Sequence, residues 1–187
     1  MLYAVVELNG VTQLDNMLYV VTKDSSIIRI LIVDTLSSLG DIHIQGLKDP
    51  NDIVVCRHDR QLYVADENDC IWRVSADDHS YVKWLPTKST DTLRVSSLSV
   101  TSRGLLVTSK QPLSLREYSM TDGQLLRVVE PSCNMRKLYH GVETTRGTFV
   151  IGYQRTDELQ GAVSCHHMNI NTFVRPPATS NLLLTMR

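Results

Sequence analysis

The chain has 187 residues, of which 42% are hydrophobic and 21% are charged, and its formal net charge is −1. The length suits one domain with a real core, and the composition excludes a disordered tail, a collagen-like chain and a low-complexity segment. A charge so close to zero provides no broad field to attract nucleic acid or an anionic membrane. We therefore expect a soluble domain with no nucleic-acid or membrane partner.

The beginning of the chain carries no recognisable targeting signal. Unlike a secretory signal peptide, the segment Met1 to Leu8 has no basic residue at its beginning, and Glu7 interrupts it after a short apolar stretch. The most apolar internal run, Ile27 to Val33, contains Arg29 and is far shorter than the roughly 18 residues of a spanning helix. With four cysteines and no CxxC pair, these features favour a cytoplasmic location.

A short apolar triplet recurs along the chain and indicates a repeat. The four copies of the triplet end at Val20, Val64, Val107 and Val150, and successive valines are 44, 43 and 43 residues apart. Turn-forming residues separate each triplet from an earlier apolar stretch. The earlier stretches are Val11 to Leu14, Ile53 to Cys56, Leu98 to Thr101 and Val142 to Thr145.

Two more strands complete each of the first three repeats. Nine residues after the valine stands an arginine among strand-forming residues, namely Arg29, Arg73 or Arg116. The fourth candidate strands are Asp41 to Gln45, Tyr81 to Leu85 and Leu125 to Val129. Because the connections are too short for crossover helices, each repeat is predicted to be a four-stranded antiparallel meander.

A four-stranded unit of about 43 residues has the size of a β-propeller blade. Leucine-rich repeats are too short, and HEAT or TPR repeats need a helical periodicity that is missing. We predict an all-β propeller with about four blades, and a β-sandwich with accidental spacing is the alternative. The predicted blades are residues 9–47, 48–92, 93–136 and a degenerate 137–173, followed by an irregular tail at 174–187.

The second repeat has the most distinctive pattern. Its residues Asp49 to Ser75 read DPNDIVVCRHDRQLYVADENDCIWRVS, with a Pro and an Asp before the inner strand, then LYVAD and an Ile-x-Arg-Val strand. This pattern resembles an NHL-type blade. The other repeats share with this pattern only the order of apolar stretches and turns. Since NHL-like propellers typically close with six blades, the resemblance leaves three possibilities: an incomplete ring that is part of a longer protein, a ring closed by self-association, or an unusual small propeller. We favour the first. Its terminal blades would expose apolar faces, so self-association is a further expectation.

Ligands of propellers tend to bind where the inner strands begin, around the central channel. The candidate residues there are Asn9, Asn51, Asp52, Ser97 and His140. Asp52 and His140 supply a carboxylate and an imidazole, which makes them weak candidates for a metal ion or a general base. We favour the structural interpretation, in which such residues satisfy backbone groups in turns entering a strand.

Arg29, Arg73 and Arg116 occupy one register of the repeat, which predicts a ring at a common radius and height. Such a ring could bind an anionic ligand or an acidic peptide. Alternatively, each arginine pairs with a neighbouring blade. We favour this second interpretation, because the third strand lies well away from the channel.

The sequence contains no GxSxG, HExxH, GxGxxG or Walker motif, and its basic residues are dispersed. We therefore predict no catalytic residue, no metal site and no cofactor. The expected function is a non-catalytic interaction module that presents a rigid face to a protein or peptide partner. The alternative is a propeller-type metal-dependent lyase or lactonase-like hydrolase that uses Asp52 and His140 in the channel.

Overall fold

The structure, a computed structural model, describes residues 7–67, 70–85, 94–129, 135–155, 164–168 and 174–175. All regular structure in these ranges is β-strand, and the strands form four antiparallel sheets. Within the described ranges, no helix has the length and apolarity to cross a bilayer.

The first two sheets are four-stranded meanders in chain order. The first contains β1 (Leu8–Leu14), β2 (Met17–Thr22), β3 (Ile27–Ile32) and β4 (Ser38–His43). The second contains β5 (Pro50–Cys56), β6 (Gln61–Asp66), β7 (Cys70–Ser75) and β8 (Tyr81–Leu85).

The third and fourth sheets continue the meander. The third contains β9 (Arg94–Val100), β10 (Leu105–Gln111), β11 (Leu113–Tyr118) and β12 (Leu125–Val129). The fourth contains β13 (Met135–Glu143), β14 (Phe149–Arg155) and β15 (Ser164–Met168). A short strand, β16 (Val174–Arg175), joins the outer edge of the third sheet by pairing with β12.

Tight turns set the register of the hairpins. Leu14 pairs with Met17, so only Asp15 and Asn16 connect β1 to β2. Asp15 has a φ of 53°, a conformation that aspartate tolerates better than most residues and that two-residue hairpin turns require. The predicted turn residues thus explain the local fold.

Neighbouring sheets pack face to face, because β1 lies against β5, β5 against β9 and β9 against β13. A buried apolar cluster fills each interface. The clusters are built around Tyr19 with Trp72, Tyr63 with Trp84, and Phe149. The described residues therefore form an open arc of four propeller blades, and the predicted fold class is confirmed.

The fourth repeat is one residue out of phase with the prediction. Val64 and Val107 pack toward the preceding sheet, but in the fourth sheet Ile151 takes that place and Val150 lies on the opposite face. The turn between β13 and β14 spans residues 144–148, whereas residues 101–104 connect β9 to β10. This turn has one more residue, which explains the offset.

Some predicted bounds differ from the observed strands. The boundary at residues 136 and 137 falls inside β13, and the expected tail contributes β16 to the third sheet. Residues 169–173 and 176–187 lie outside the described part of the chain.

Candidate functional site

Each inner strand carries a β-bulge near its beginning. The unpaired residue is Asn9 in β1, Asn51 in β5 and Ser96 in β9, and β13 has two, Arg136 and Tyr139, of which Tyr139 corresponds to the other three. A bulge turns an extra side chain away from its regular position. In this fold, the side chains of the first three bulges point to the next sheet.

These bulge side chains form a repeated bond between sheets. Asn9 Nδ2 donates to the Pro50 carbonyl over 2.7 Å, and Asn51 Nδ2 donates to the Val95 carbonyl over 3.2 Å. Ser96 Oγ lies 3.1 Å from the Thr108 carbonyl of its own sheet and 3.4 Å from the Leu138 carbonyl of the next sheet, so its single proton is shared between the two acceptors. In every case the acceptor in the next sheet is the residue just before the next bulge. We call these three bonds between sheets the bulge straps.

Asp52 makes a second connection between the second and third sheets. Its Oδ2 accepts a hydrogen bond from Leu98 N at 2.8 Å, and its Oδ1 accepts one from Ile53 N at 2.8 Å. Burial raises the pKa of this carboxyl, while the two backbone donors and the nearby His140 oppose the increase. Both carboxylate oxygens therefore already have partners.

When the inner strands are aligned on their bulges, the residue that directly follows the bulge is Gly10, Asp52, Ser97 or His140. These four residues therefore occupy equivalent positions. Asp52 and His140 line one open cavity of about 430 Å³ that is bounded by all the inner strands. Ser97 is buried, and its Oγ has no hydrogen-bond partner among the described residues. Of the predicted channel residues, only Asp52 and His140 thus come together at this cavity.

The predicted arginines do not share one register. Arg29 pairs with Val20 and Arg116 with Val107, whereas Arg73 pairs with Tyr63 and not with Val64. Val64 pairs with Trp72, eight residues further along the chain, whereas Val20 and Val107 pair with arginines nine residues further along. This difference of one residue places Arg73 on the other face of its sheet. The expectation of a ring at a common height is therefore wrong for Arg73.

Each arginine has different surroundings. Arg29 is exposed and its Nε lies 3.5 Å from Asp41 Oδ1, while Arg116 Nε donates to Ser114 Oγ at 3.3 Å. Arg73 lines a groove of about 600 Å³ together with Asp59 and Asp78. Hydrogen bonds from Ser75 and Ser80 lower the pKa of Asp78 to about 2, so this carboxylate is ionised and already has partners. The groove has mixed charge and selects no ligand.

A second groove has a clear excess of positive charge. Its cavity is about 240 Å³, and we call it the basic groove. Its lining residues are Glu67, Arg94, Val95, Lys110, Gln111 and Lys137. Lys110 Nζ lies 3.9 Å from Glu67 Oε1, and Lys137 Nζ lies 4.8 Å from the centre of the Tyr139 ring. One carboxylate thus faces three cationic groups, and the described residues give Arg94 no carboxylate partner.

The sequence signal for this groove is indirect. Arg94 begins β9, Lys110 lies near the end of β10, and Lys137 lies near the start of β13. In an antiparallel meander these three strand ends meet at one edge, although the residues are far apart in sequence. A search for adjacent basic residues in the sequence misses them. Marking the basic residues on the aligned repeats would show that all three lie at strand ends on the same edge.

A buried ion cluster connects the third and fourth sheets. Arg127 Nε lies 2.6 Å from Glu117 Oε2, and Arg127 Nη2 lies 3.6 Å from Glu143 Oε1. The Nε contact is an ion pair without good hydrogen-bond alignment. Glu143 Oε2 also accepts from Ser102 N at 2.6 Å. Because its members already pair with one another, we interpret this cluster as structural.

Within the described ranges, no group of three or more His, Cys, Asp and Glu side chains converges in a way that could hold a metal ion. The cavity at the inner strands brings Asp52 and His140 together, which supplies only two such groups.

Comparison with known proteins supports the architecture. No protein-family model matches the chain, and no curated protein matches it in sequence. The fold is similar to that of hydrazine synthase from Kuenenia stuttgartiensis, with a TM-score of 0.67 and 13% sequence identity. The match covers 90% of this chain and 49% of the other, so the chain spans about half of that protein's length. At this identity the likeness shows the propeller-like fold alone.

Proposed function

We propose that the chain is a non-catalytic binding module and that its basic groove binds an acidic segment of a protein partner. The observation that carries the proposal is the convergence of Arg94, Lys110 and Lys137 in one groove where Glu67 is the one carboxylate among the lining residues that the structure describes. An acidic segment would neutralise an excess positive charge that the described residues leave unmatched.

The groove is well suited to recognition, because its cations lie on or next to packed strands. A rigid scaffold reduces the entropy lost on binding. Arg94 offers a planar guanidinium that matches a carboxylate with two parallel hydrogen bonds, and the lysines add point charges beside it. The buried Val95 beside Arg94 belongs to the core, which fixes the backbone at the groove.

The alternative function, a metal-dependent lyase or lactonase, would need Asp52 and His140 as ligand or base. Both oxygens of Asp52 accept backbone N–H groups, which supports its role as a connection between sheets. No observation on the described residues favours the alternative over binding.

We also retain the NHL-type relationship as a proposal, because its motif has a physical explanation in the second sheet. Leu62, Val64 and the other residues of LYVAD are buried, and Asp66 accepts from Lys48 N at 3.3 Å and from Asp49 N at 3.2 Å. The motif thus holds the segment that leads into β5. A cytoplasmic location is likewise proposed, since Cys56 and Cys70 are buried free thiols.

Fluorescence anisotropy with a labelled peptide of alternating Glu and Ser residues tests the binding proposal. Lys137→Glu places a negative charge in the groove, and we expect it to weaken binding about 10-fold at low salt. Added salt is expected to weaken binding to the wild type, because exposed charges are screened.

The matched control is Lys83→Glu, which changes the net charge equally but lies on β8, outside the groove. We expect this control to bind the peptide nearly as well as the wild type. No binding to the wild type, or equal weakening by both substitutions, would contradict the proposal.

A further inference from the structure

Every interface between sheets uses the same positions. We call the side of a sheet that meets the preceding sheet its leading face and the opposite side its trailing face. On the leading faces of the second and third sheets, Ile53 and Leu98 of the inner strands are each 1% exposed. Val64 and Val107, which pair with them, are also buried there.

The first sheet carries the same pattern on its leading face, but no described residue covers it. Val11 is equivalent to Ile53 and Leu98, yet it is 51% exposed. Its partner Val20 and the nearby Leu18 and Leu31 are half-buried. These apolar residues are arranged as a contact surface for a further blade.

The fourth sheet shows the complementary situation on its trailing face. Val142, on the inner strand, is 38% exposed, and its partner Val150 is half-buried. The opposite face of the same sheet packs Phe149 and Ile151 against the third sheet. Both ends of the arc therefore present apolar residues at positions that other sheets use for packing.

One polar position also matches between the two end faces. His140 is the equivalent of Asp52, which accepts from Leu98 N of the following sheet. The equivalent of Leu98 in the first sheet is Val11. A first sheet placed after the fourth would therefore bring its Val11 N–H to the His140 position, and an imidazole nitrogen can accept such a bond.

From this continuity with the interfaces inside the arc, we propose that a second copy of the chain docks head to tail. The trailing face of one copy's fourth sheet packs on the leading face of the other copy's first sheet. A second copy is the occupant because its two end faces supply both apolar halves of the repeated interface.

The contact is heterologous, because it joins two different surfaces of the same chain. Such contacts form rings when the rotation closes and open assemblies when it does not. Two copies with four blades each would supply eight blades, which is within the range of closed propellers. This proposal is independent of the binding function proposed for the basic groove.

Sedimentation velocity over a range of protein concentrations tests the proposal. The wild type is expected to form dimers or larger assemblies, whereas Val20→Lys and Val150→Lys are each expected to be monomeric alone. The control Val82→Lys changes an exposed valine on β8 and is expected to assemble like the wild type. Circular dichroism checks folding, and Leu18→Gln replaces Val20→Lys if that variant does not fold.

Mixing the two interface variants gives the decisive result. In the mixture, Val150→Lys keeps an intact leading face and Val20→Lys keeps an intact trailing face. These two faces can meet, so a heterodimer is expected to form. A monomeric wild type would overturn the proposal, and so would a Val20→Lys variant that still assembles alone. Assembly of Val150→Lys alone would show that the contact does not use the trailing face.

Discussion

At the scale of single residues, Asp52 connects two sheets because its carboxyl accepts from Leu98 N of the third sheet and from Ile53 N of its own strand. Replacing it by alanine removes the acceptor of the Leu98 N–H, and an unsatisfied buried donor costs about 1 to 3 kcal/mol. We expect Asp52→Ala to lower the free energy of unfolding by this amount in urea titrations. Asp52→Asn keeps a carbonyl oxygen as an acceptor, so we expect it to lower the free energy of unfolding less. An equal decrease in both variants would contradict this explanation.

The raised pKa of Asp52 also predicts a dependence on pH. The folded chain holds this proton more tightly than the unfolded chain, so ionisation lowers stability. As the pH rises from the ordinary value of 3.8 through the raised pKa, the free energy of unfolding should fall relative to Asp52→Asn. Urea titrations of both proteins across acidic pH measure this difference, and a constant difference would contradict the prediction.

The residues of the candidate sites were only partly accessible from the sequence. The repeat placed Asp52 and His140 near the start of their strands, where the structure brings both to one cavity. It did not reveal the basic groove, since Arg94, Lys110 and Lys137 meet only after three strands are aligned. The register of Arg73 also depends on the length of one turn, which periodicity alone does not determine.

At the scale of strands, Gly10 shows how closely the first two inner strands approach. A Cβ atom at this position would lie 2.9 Å from Ile53 N and 3.1 Å from Asp52 Cα, both backbone atoms of the next sheet. Overpacking of this kind costs typically about 1 to 3 kcal/mol. We therefore expect Gly10→Ala to lower the melting temperature and the free energy of unfolding.

Gly152→Ala is the matched control, because the nearest atom to its Cβ would be the His140 carbonyl oxygen at 3.8 Å. This distance is an ordinary contact, so we expect little loss of stability. If both substitutions were equally harmful, close approach between β1 and β5 would not explain the glycine at position 10.

Strand positions followed the sequence where turns and apolar runs agreed. The predicted segments Tyr81 to Leu85 and Leu125 to Val129 coincide with β8 and β12. The prediction for β4 was shifted, because Asp41 to Gln45 extends past the strand that ends at His43. Strand β16 had no signal in the repeat, since its partner β12 lies far away in sequence.

At the scale of the whole molecule, each sheet packs mainly on its neighbours in the chain. Stability should then depend on separate interfaces, as in other arrays of stacked units. Arg127→Leu would leave Glu117 and Glu143 buried without their cation, which costs about 3 to 5 kcal/mol. We expect hydrogen exchange to accelerate in the third and fourth sheets much more than in the first.

The control for this experiment is Lys23→Leu, since its contact with Glu7 is largely exposed. Such surface pairs contribute little to stability, so exchange should hardly change. Equal acceleration in all sheets of Arg127→Leu would indicate that the arc unfolds as one cooperative unit.

The bulge straps have a consequence for synthesis. In each of them the donor precedes its acceptor by 41 to 44 residues. At typical elongation rates of about 5 to 20 residues per second, the ribosome needs roughly 2 to 9 seconds to add the residues that lie between a strap donor and its acceptor carbonyl. During translation the blade that has emerged last therefore lacks its contact with the next blade until that blade has been made.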